Sequence, residues 1–368
     1  MYYTTYAYGH DYGNSETCGV QISSSGMPQV LIMPSALYTG SYDELVQKVS
    51  GSSSMSSLLG ILHEQAHTIE LHDNQWYVGH LAIEQAPSNM EISSLTSRGD
   101  VSRYWSDRSL ALLLATSGTL LQDSEYGLAV VTNLPIATHT DTNVKQVKQA
   151  LTGDHPFTLD GRRRTAHVRL MKTIMEGAGA NIAYGPGGQV KVGVIDVGGR
   201  TTDAYLVKGQ LPLAEQCKSL DTGVESAADA VVAAFERRFA YPLSLSDARA
   251  LLWCYTHGKH YQTVPTVVNA EVDSRVVDDL ITGQLRETGK KIVAFVKRIW
   301  ASSLSSDVVA SDVKSILLIG GGAYYFEQDL RPLFGKRLQV PDHPEHANAL
   351  GYARLARHYL QRELKQAI

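Results

Sequence analysis

Three stretches of the sequence join an apolar run to a glycine-rich turn: GHDYGNSETCGV at residues 9–20, VGVIDVGGRTTDAYLVKG at 192–209 and ILLIGGGAYYF at 316–326. In the second, Val192 to Val197 has the β-branched content of an inner strand yet carries Asp196 near its end. A carboxylate there is costly unless it is solvated, paired or facing a cation. The first stretch repeats the arrangement, with Asp11 before Gly13 as Asp196 is before Gly198, and with Asn14, Ser15 and Thr201 as small polar residues after the glycines. Two such hairpins facing each other would offer backbone N–H groups to phosphate oxygens from two sides, while Asp11 and Asp196 hold a hydrated Mg²⁺. Glycine matters because a side chain would keep the backbone away from those oxygens. The third stretch has no carboxylate. Gly320, Gly321 and Gly322 leave bare main chain for a flat base or a ribose, and a helix starting near Ala323 and Tyr324 would turn its N-terminus to the α-phosphate.

A different chemistry is suggested by LHEQAH at residues 62–67, which matches the HExxH zinc-peptidase pattern. That reaction needs His63 and His67 one helical turn apart with Glu64 as general base. TIELHDNQWYV follows His67 at once and reads as a strand, which leaves no room for the helix. A loop with two surface histidines is therefore the preferred reading, and a zinc metallopeptidase the remote one. The basic run Gly161 to Arg164 is read as a solvated turn rather than a phosphate or DNA site.

The elements that must position these residues alternate along the chain. YYTTYAYGHD, TCGVQIS and PQVLIMPSAL read as strands, followed by a Ser/Gly-rich stretch at residues 41–60 that is either a loop or a poorly supported helix. HTIELHDNQWYVGHLA carries a hairpin signal around HDN. DRSLALLLATSGTLL has helical spacing with a cap at Ser106 or Asp107, and YGLAVVTNLPIA and HVRLMKTIMEGAGAN return to strands. ESAADAVVAAFERRFA is an amphipathic helix, and VDDLITGQLRETGKKIVAFVKRIW a longer one interrupted at Gly283. EHANALGYARLARHYLQREL is a peripheral amphipathic helix packed by Leu355 and Tyr359 rather than a membrane anchor. Strands set among helices in both halves favour two α/β lobes.

Composition agrees with this. A chain of 368 residues exceeds what one core usually supports, and a hydrophobic fraction of 43% with a net charge of −4 describes a soluble globular protein with no general attraction to nucleic acid or anionic membrane. The three cysteines, Cys18, Cys217 and Cys254, are scattered, which fits a reducing compartment. No signal peptide or spanning segment is visible, so the expected location is the cytoplasm.

Taken in order, the three motifs resemble the actin, Hsp70 and sugar-kinase ATPase superfamily, and within it the bacterial actins of the plasmid-segregation (ParM/StbA) type and their archaeal relatives. IMPSAL is similar to the family's Pro-Ser segment, WYVGHLA to its Val-Gly strand, VVTNLPIA to its Gly-Leu-Pro strand and HANALGYARLA to the start of its last helix. TIMEGAGA resembles the strand end that carries the water-orienting acid, which falls on Glu176. The resemblance implies a two-lobed actin-like ATPase fold, built from duplicated ribonuclease H-like domains, with the nucleotide in the interlobe cleft. Lobe I would comprise residues 1–185 plus 341–368, and lobe II residues 186–340. Gly13, Asn14, Ser15, Gly198, Gly199, Arg200 and Thr201 would contact phosphates. Gly223, Glu236 and Arg238 would border ribose and base beside Gly320, Gly321, Gly322, Ala323 and Tyr324. Glu176 would orient the attacking water, with Asp11 and Asp196 holding Mg²⁺ through water.

Two positions depart from the family pattern. Cys18 stands where a lysine usually reaches the phosphates, which implies slower hydrolysis, and Asn133 stands where glycine is usual. The implied function is a Mg-ATP-binding ATPase, with GTP as the alternative nucleotide. It would polymerise head to tail into dynamic cytomotive filaments for DNA or plasmid segregation, or for intracellular positioning, with a DNA-bound adaptor as partner. A non-polymerising Hsp70-like regulatory or chaperone ATPase is the alternative, although such a chaperone is expected to carry a substrate domain after its core. A sugar kinase would need a catalytic Asp in a carbohydrate pocket, and no residue suggests one.

Overall fold

The computed structural model describes residues 3–23, 25–50, 65–87, 101–240, 242–259, 274–301 and 309–366. The chain divides into two compact units, residues 1–184 with 346–368, and residues 185–345.

The first unit opens with three antiparallel strands, β1 (Thr5–Tyr12), β2 (Glu16–Ile22) and β3 (Pro28–Pro34). After β4 (Leu37–Thr39) and α1 (Tyr42–Ser50) comes a hairpin, β5 (Ala66–Leu71) and β6 (Asn74–Gly79), then the short helix α2 (His80–Gln85). Helix α3 (Asp107–Leu120) is buried along most of its length, and Ser106 is its N-cap residue without a side-chain cap bond. The long strand β7 (Glu125–Leu134) runs parallel to β1 and is almost wholly buried, hence its continuous apolar run. Helix α4 (Asp141–Leu151), the hairpin β8 (Gly153–Leu159) and β9 (Arg162–Met175), and α5 (Ala178–Tyr184) complete this segment.

Two sequence readings need correction here, and a third is narrowed. Arg162 to Arg164 open β9 instead of forming a turn, and Arg164 Nη1 donates to the carbonyls of Gly118 at 2.8 Å and Leu121 at 2.7 Å at the end of α3. His67 is a buried residue of β5, not a surface loop residue. Of the Ser/Gly-rich stretch, residues 42–50 are helical and 51–64 lie outside the described residues.

In the second unit, β10 (Lys191–Val197) and β11 (Thr202–Lys208) form the central hairpin, extended by β12 (Leu211–Pro212) and β13 (Lys218–Leu220). Helices α6 (Val224–Phe239), α7 (Leu245–Thr256) and α8 (Ser274–Trp300) follow. Gly283 does not interrupt α8, which runs unbroken through it. Strand β14 (Ser315–Ile319), α9 (Ala323–Phe334) and β15 (Leu338–Gln339) close the unit, and α10 (Ala347–Gln366) belongs to the first.

The two sheets share one plan. In the first, the order β3-β2-β1-β7-β9 has antiparallel pairs outward from β1 on one side and parallel pairs on the other, with β8, β5, β6 and β4 added beyond β9. In the second, β12-β11-β10-β14-β15 repeats the same senses around β10. Each sheet has its own core, one around Tyr8, Leu113, Tyr126 and Leu128, the other around Ile195, Val231, Phe295 and Leu318. The first unit also packs α10 on β1 at very close range. A side chain at Gly9 would strike the backbone of Ala349 and Ala353, and one at Gly351 would strike the backbone of Gly179 in α5. Among the described residues no helix is long and apolar enough to cross a membrane.

Candidate functional site

Asp11 is the penultimate residue of β1 and Asp196 the penultimate residue of β10. Both therefore stand at the carboxyl end of the strand around which their sheet's order reverses, where ligands of α/β sheets are bound.

In the first unit the hairpin turn after Asp11 is held from outside. Ser35 Oγ donates to the Gly13 carbonyl and the Ser35 N–H to the Ser15 carbonyl, both at 2.9 Å. This accounts for the Pro34–Ser35 step after β3. Asn133, at 0% exposure, accepts the Tyr12 N–H on Oδ1 at 3.1 Å, so it fastens the end of β1 to β7. Glu176 follows β9, its N–H donating to the Leu134 carbonyl at 3.0 Å, which sets it at the same edge as the end of β7. The neighbourhood of these acids is read by Tyr104. Its hydroxyl is kept protonated by burial, with the charges of Glu176 and Asp11 adding to the effect and Arg103 opposing it. The Arg103 guanidinium lies 4.4 Å from the Tyr104 ring centre and donates to its hydroxyl. A cleft beside Gly13 is lined by Arg103, Tyr104 and Arg108. Motif reading missed these cations; their only signal is the pair of arginines in SRYWSDR ahead of an apolar helix.

Cys18 is directly opposite Asp11 on β2 and 4% exposed, packed with Val20, Ile22, Ala349, Leu350 and Ala353. An apolar pocket of this kind explains why an uncharged residue is tolerated there.

In the second unit, the turn Gly198–Thr201 is closed by the Gly198 N–H donating to Thr201 O at 2.9 Å. Thr202 Oγ1 donates to Thr222 O at 2.7 Å, and the first N–H groups of α6, on Val224 and Glu225, donate to the Gly198 and Gly199 carbonyls at 3.1 and 2.6 Å. Gly223 is thus fixed against the hairpin. Gly320, after β14, has φ +80°, and a Cβ there would lie 2.5 Å from Asp196 Oδ1; Gly322 N–H donates to Val197 O at 2.8 Å. The structure therefore brings Asp196, Gly198 to Thr201, Gly223 and Gly320 to Gly322 to one sheet edge. Ala323 is wholly buried, whereas Tyr324 is 42% exposed, its hydroxyl donating to Glu345 Oε2 at 2.7 Å.

Glu236 and Arg238 are not brought there. Both are exposed in the last turn of α6, and at about 1.5 Å per residue Glu236 stands roughly 20 Å along the helix from Gly223. A residue that motif reading passed over joins instead: Asp203 faces Asp196 across the hairpin, 3% exposed, and burial pushes its carboxyl up to about 6. Two carboxylates opposed in this way suit a cation, and the two terminal nitrogens of Arg200, buried with no hydrogen-bond partner among the described residues, suit an anion. A magnesium-complexed phosphate fits this donor set.

The zinc reading does not fit. His67 Nδ1 is 2.7 Å from Asp160 Oδ2 and its Nε2 is 3.0 Å from Thr119 Oγ1, so both ring nitrogens are engaged within a strand. His63 and Glu64 lie outside the described residues.

The N-terminal domain model of actin-like proteins matches residues 9–179, and the C-terminal model of archaeal MreB-like actin homologues matches residues 194–332. The chain belongs to the actin-like proteins. No curated protein matches it. The fold is shared with Ta0583, an archaeal actin homologue solved in complex with ADP, at a TM-score of 0.68 and 19% identity over 96% of this chain and 99% of that one. It is shared equally with ParM in a 15-stranded filament from Clostridium botulinum (TM-score 0.69, 19% identity, 96% and 99% covered) and with Bacillus thuringiensis ParM with AMPPNP (0.65, 14%, 97% and 99%). An actin-like protein of this type has two mixed α/β domains, as found here.

Proposed function

We propose that this actin-like protein binds and hydrolyses a magnesium-complexed nucleoside triphosphate, ATP with GTP as the alternative, and polymerises head to tail. The observation that carries the reading is the repeated placement of Asp11 and Asp196, each penultimate in the pivot strand of a sheet with the same strand order and each followed by a glycine turn. Gly13, Asn14, Ser15, Gly198, Gly199, Arg200 and Thr201 take the phosphates. Asp11 and Asp196 hold Mg²⁺ through its water ligands, which neutralises charge developing on the transferred phosphoryl group. Glu176 orients the attacking water. Gly223, Gly320 to Gly322 and Tyr324 border the nucleoside, and Tyr324 supplies the only exposed ring among them. Support comes from the relatives solved with ADP and with AMPPNP, and from the one solved as a filament.

Polymerisation is a heterologous contact that does not close, so it should show a critical concentration. A DNA-bound adaptor and a cytoplasmic role in segregation or positioning belong to the same proposal. Calorimetric titration with ATP and ADP, with and without Mg²⁺, tests the site; pelleting, light scattering and electron microscopy with ATP, ADP and a non-hydrolysable analogue test assembly. ATP turnover without polymer at any concentration would favour the monomeric, Hsp70-like alternative.

A further inference from the structure

Away from the glycine turns, the first unit has a hollow of about 440 Å³ between the β2–β3 turn and α10. Its helical wall runs from Leu350 through Arg354, Arg357 and His358, a spacing that keeps all four on one helix face. Ile22 and Pro28, at the facing ends of β2 and β3, form the other wall. Among the described residues no acid lines it. The turn itself, residues 22–28, contains none, and Glu363, the one carboxylate side chain of α10, pairs with Arg169 of β9 at 2.8 Å.

The two arginines are placed by backbone. Gly26 has φ +91°, and a Cβ there would lie 3.1 Å from Arg357 Nη1, so the turn closes down on this guanidinium as only glycine allows. Arg354 Nη1 donates to the carbonyl of Ala183 in α5, which braces the second guanidinium one helical turn away. Cations ordered before a ligand arrives cost less to order when it binds. Ile22 and Leu350, 7% and 6% exposed, add an apolar surface beside them.

This hollow is separate from the edge that carries Asp11. On the β1–β2 ladder Asp11 is opposite Cys18, whereas Ile22 is opposite Ala7. At about 3.3 Å per residue, the four residues from Cys18 to Ile22 span roughly 13 Å, toward the other end of the hairpin. The volume is that of a small organic ligand, not of a bare ion. Guanidinium forks match phosphate oxygens, and two arginines with a histidine suit a dianion better than a monoanion.

We propose that this hollow binds a phosphate monoester, its phosphate held by Arg354, Arg357 and His358 and its carbon part lying on Ile22, Pro28 and Leu350. The proposal does not depend on the nucleotide reading above.

The test is calorimetric titration of the full chain, as wild type, Arg354→Gln, Arg357→Gln and the double variant, with phenyl phosphate, inorganic phosphate, benzoate and phenol. Phenyl phosphate should bind the wild type at least fivefold more tightly than inorganic phosphate or benzoate, and phenol should not bind. Each single variant should weaken phenyl phosphate about tenfold, and the double variant more, with unliganded urea midpoints unchanged. Hydrogen exchange in the wild type locates the ligand, and also decides the matter if a variant does not fold: phenyl phosphate should slow exchange in residues 22–28 and 350–361. Co-sedimentation with phosphatidic acid vesicles that the double variant loses would support the site with a lipid headgroup as the source of the ester. A wild type that binds phenyl phosphate but not the vesicles supports it with a soluble ester. Wild-type affinity in a folded double variant, protection confined to the turns at Gly13 and Gly198, benzoate binding as tightly as phenyl phosphate, or no binding of phenyl phosphate by wild type would each overturn the proposal.

Discussion

Asp196 and Asp203 lie directly opposite each other on β10 and β11, so two carboxylates share one face of the hairpin one pair away from its turn. Burial raises the Asp203 carboxyl from 3.8 to about 6, with the Ser219 and Thr201 hydroxyls opposing the shift. A folded-state value above the unfolded one means that the contribution to stability is fully present below pH 3.8 and is lost as pH rises through about 6. At pH 7 the buried, ionised Asp203 carboxylate costs the second unit on the order of 3 kcal/mol. Asp203→Asn should therefore raise the melting temperature of this unit at pH 7 and flatten its pH dependence between 4 and 6 in scanning calorimetry; an unchanged pH profile would contradict the assignment.

His10 works in the opposite direction. It is wholly buried, beside Thr17 at 3.1 Å, and burial lowers it from 6.5 to about 3. Its contribution is complete above pH 6.5 and is lost at about 1.4 kcal/mol per unit as pH falls toward 3. Acid should thus weaken the first unit across the range in which Asp203 strengthens the second. Hydrogen exchange at pH 5 and pH 7 reads the two units separately, and His10→Gln should remove the acid sensitivity of β1 and β2.

Gly320→Ala sets a methyl group against Asp196 at a φ of +80° that alanine adopts poorly. A loss of about 2–4 kcal/mol in the second unit is expected from strain and overlap combined. Urea melts followed by circular dichroism would measure it, and a loss below 0.5 kcal/mol would show that the turn yields easily.

Glu176→Gln separates chemistry from binding. If the acid orients water, phosphate release falls roughly a hundredfold while ATP affinity stays within threefold. Equal turnover by variant and wild type would remove Glu176 from the reaction.

Gly283→Ala should stabilise. Gly283 sits inside continuous helix, and a Cβ there meets nothing within 4 Å. Relief of backbone entropy is worth about 0.5–1 kcal/mol, seen as a higher urea midpoint.

How much of this was legible depended on whether the signal was local. The acid–glycine turns could be read because the strand, the carboxylate and the glycines fall within nine residues, and the structure places Asp11 and Asp196 at strand ends. β8 escaped because Pro156 argues against a strand, yet β5 pairs only with Phe157 to Leu159 and leaves the proline outside that ladder. Arg162 to Arg164 looked like a turn because three charges hide a strand whose third arginine bonds to the end of α3. His67 looked like a surface residue because its partners, Asp160 and Thr119, are distant in sequence. Glu236 and Arg238 were misplaced because composition at a helix end does not say which end meets the turn. The Arg200–Glu225–Arg249 linkage spans three elements, and no spacing rule could have announced it.

The glycine-to-backbone packing of α10 on β1 and α5 sets an order of events during synthesis. Residues 185–345 form an uninterrupted segment that can complete its own core as soon as it leaves the ribosome. The first unit emerges earlier but lacks its closing helix until residues 347–366 arrive, so its earlier part must wait for a helix made after the whole second unit. Until then the face bearing Gly9 stays uncovered, and a chaperone or an aggregating neighbour has its opportunity in that interval.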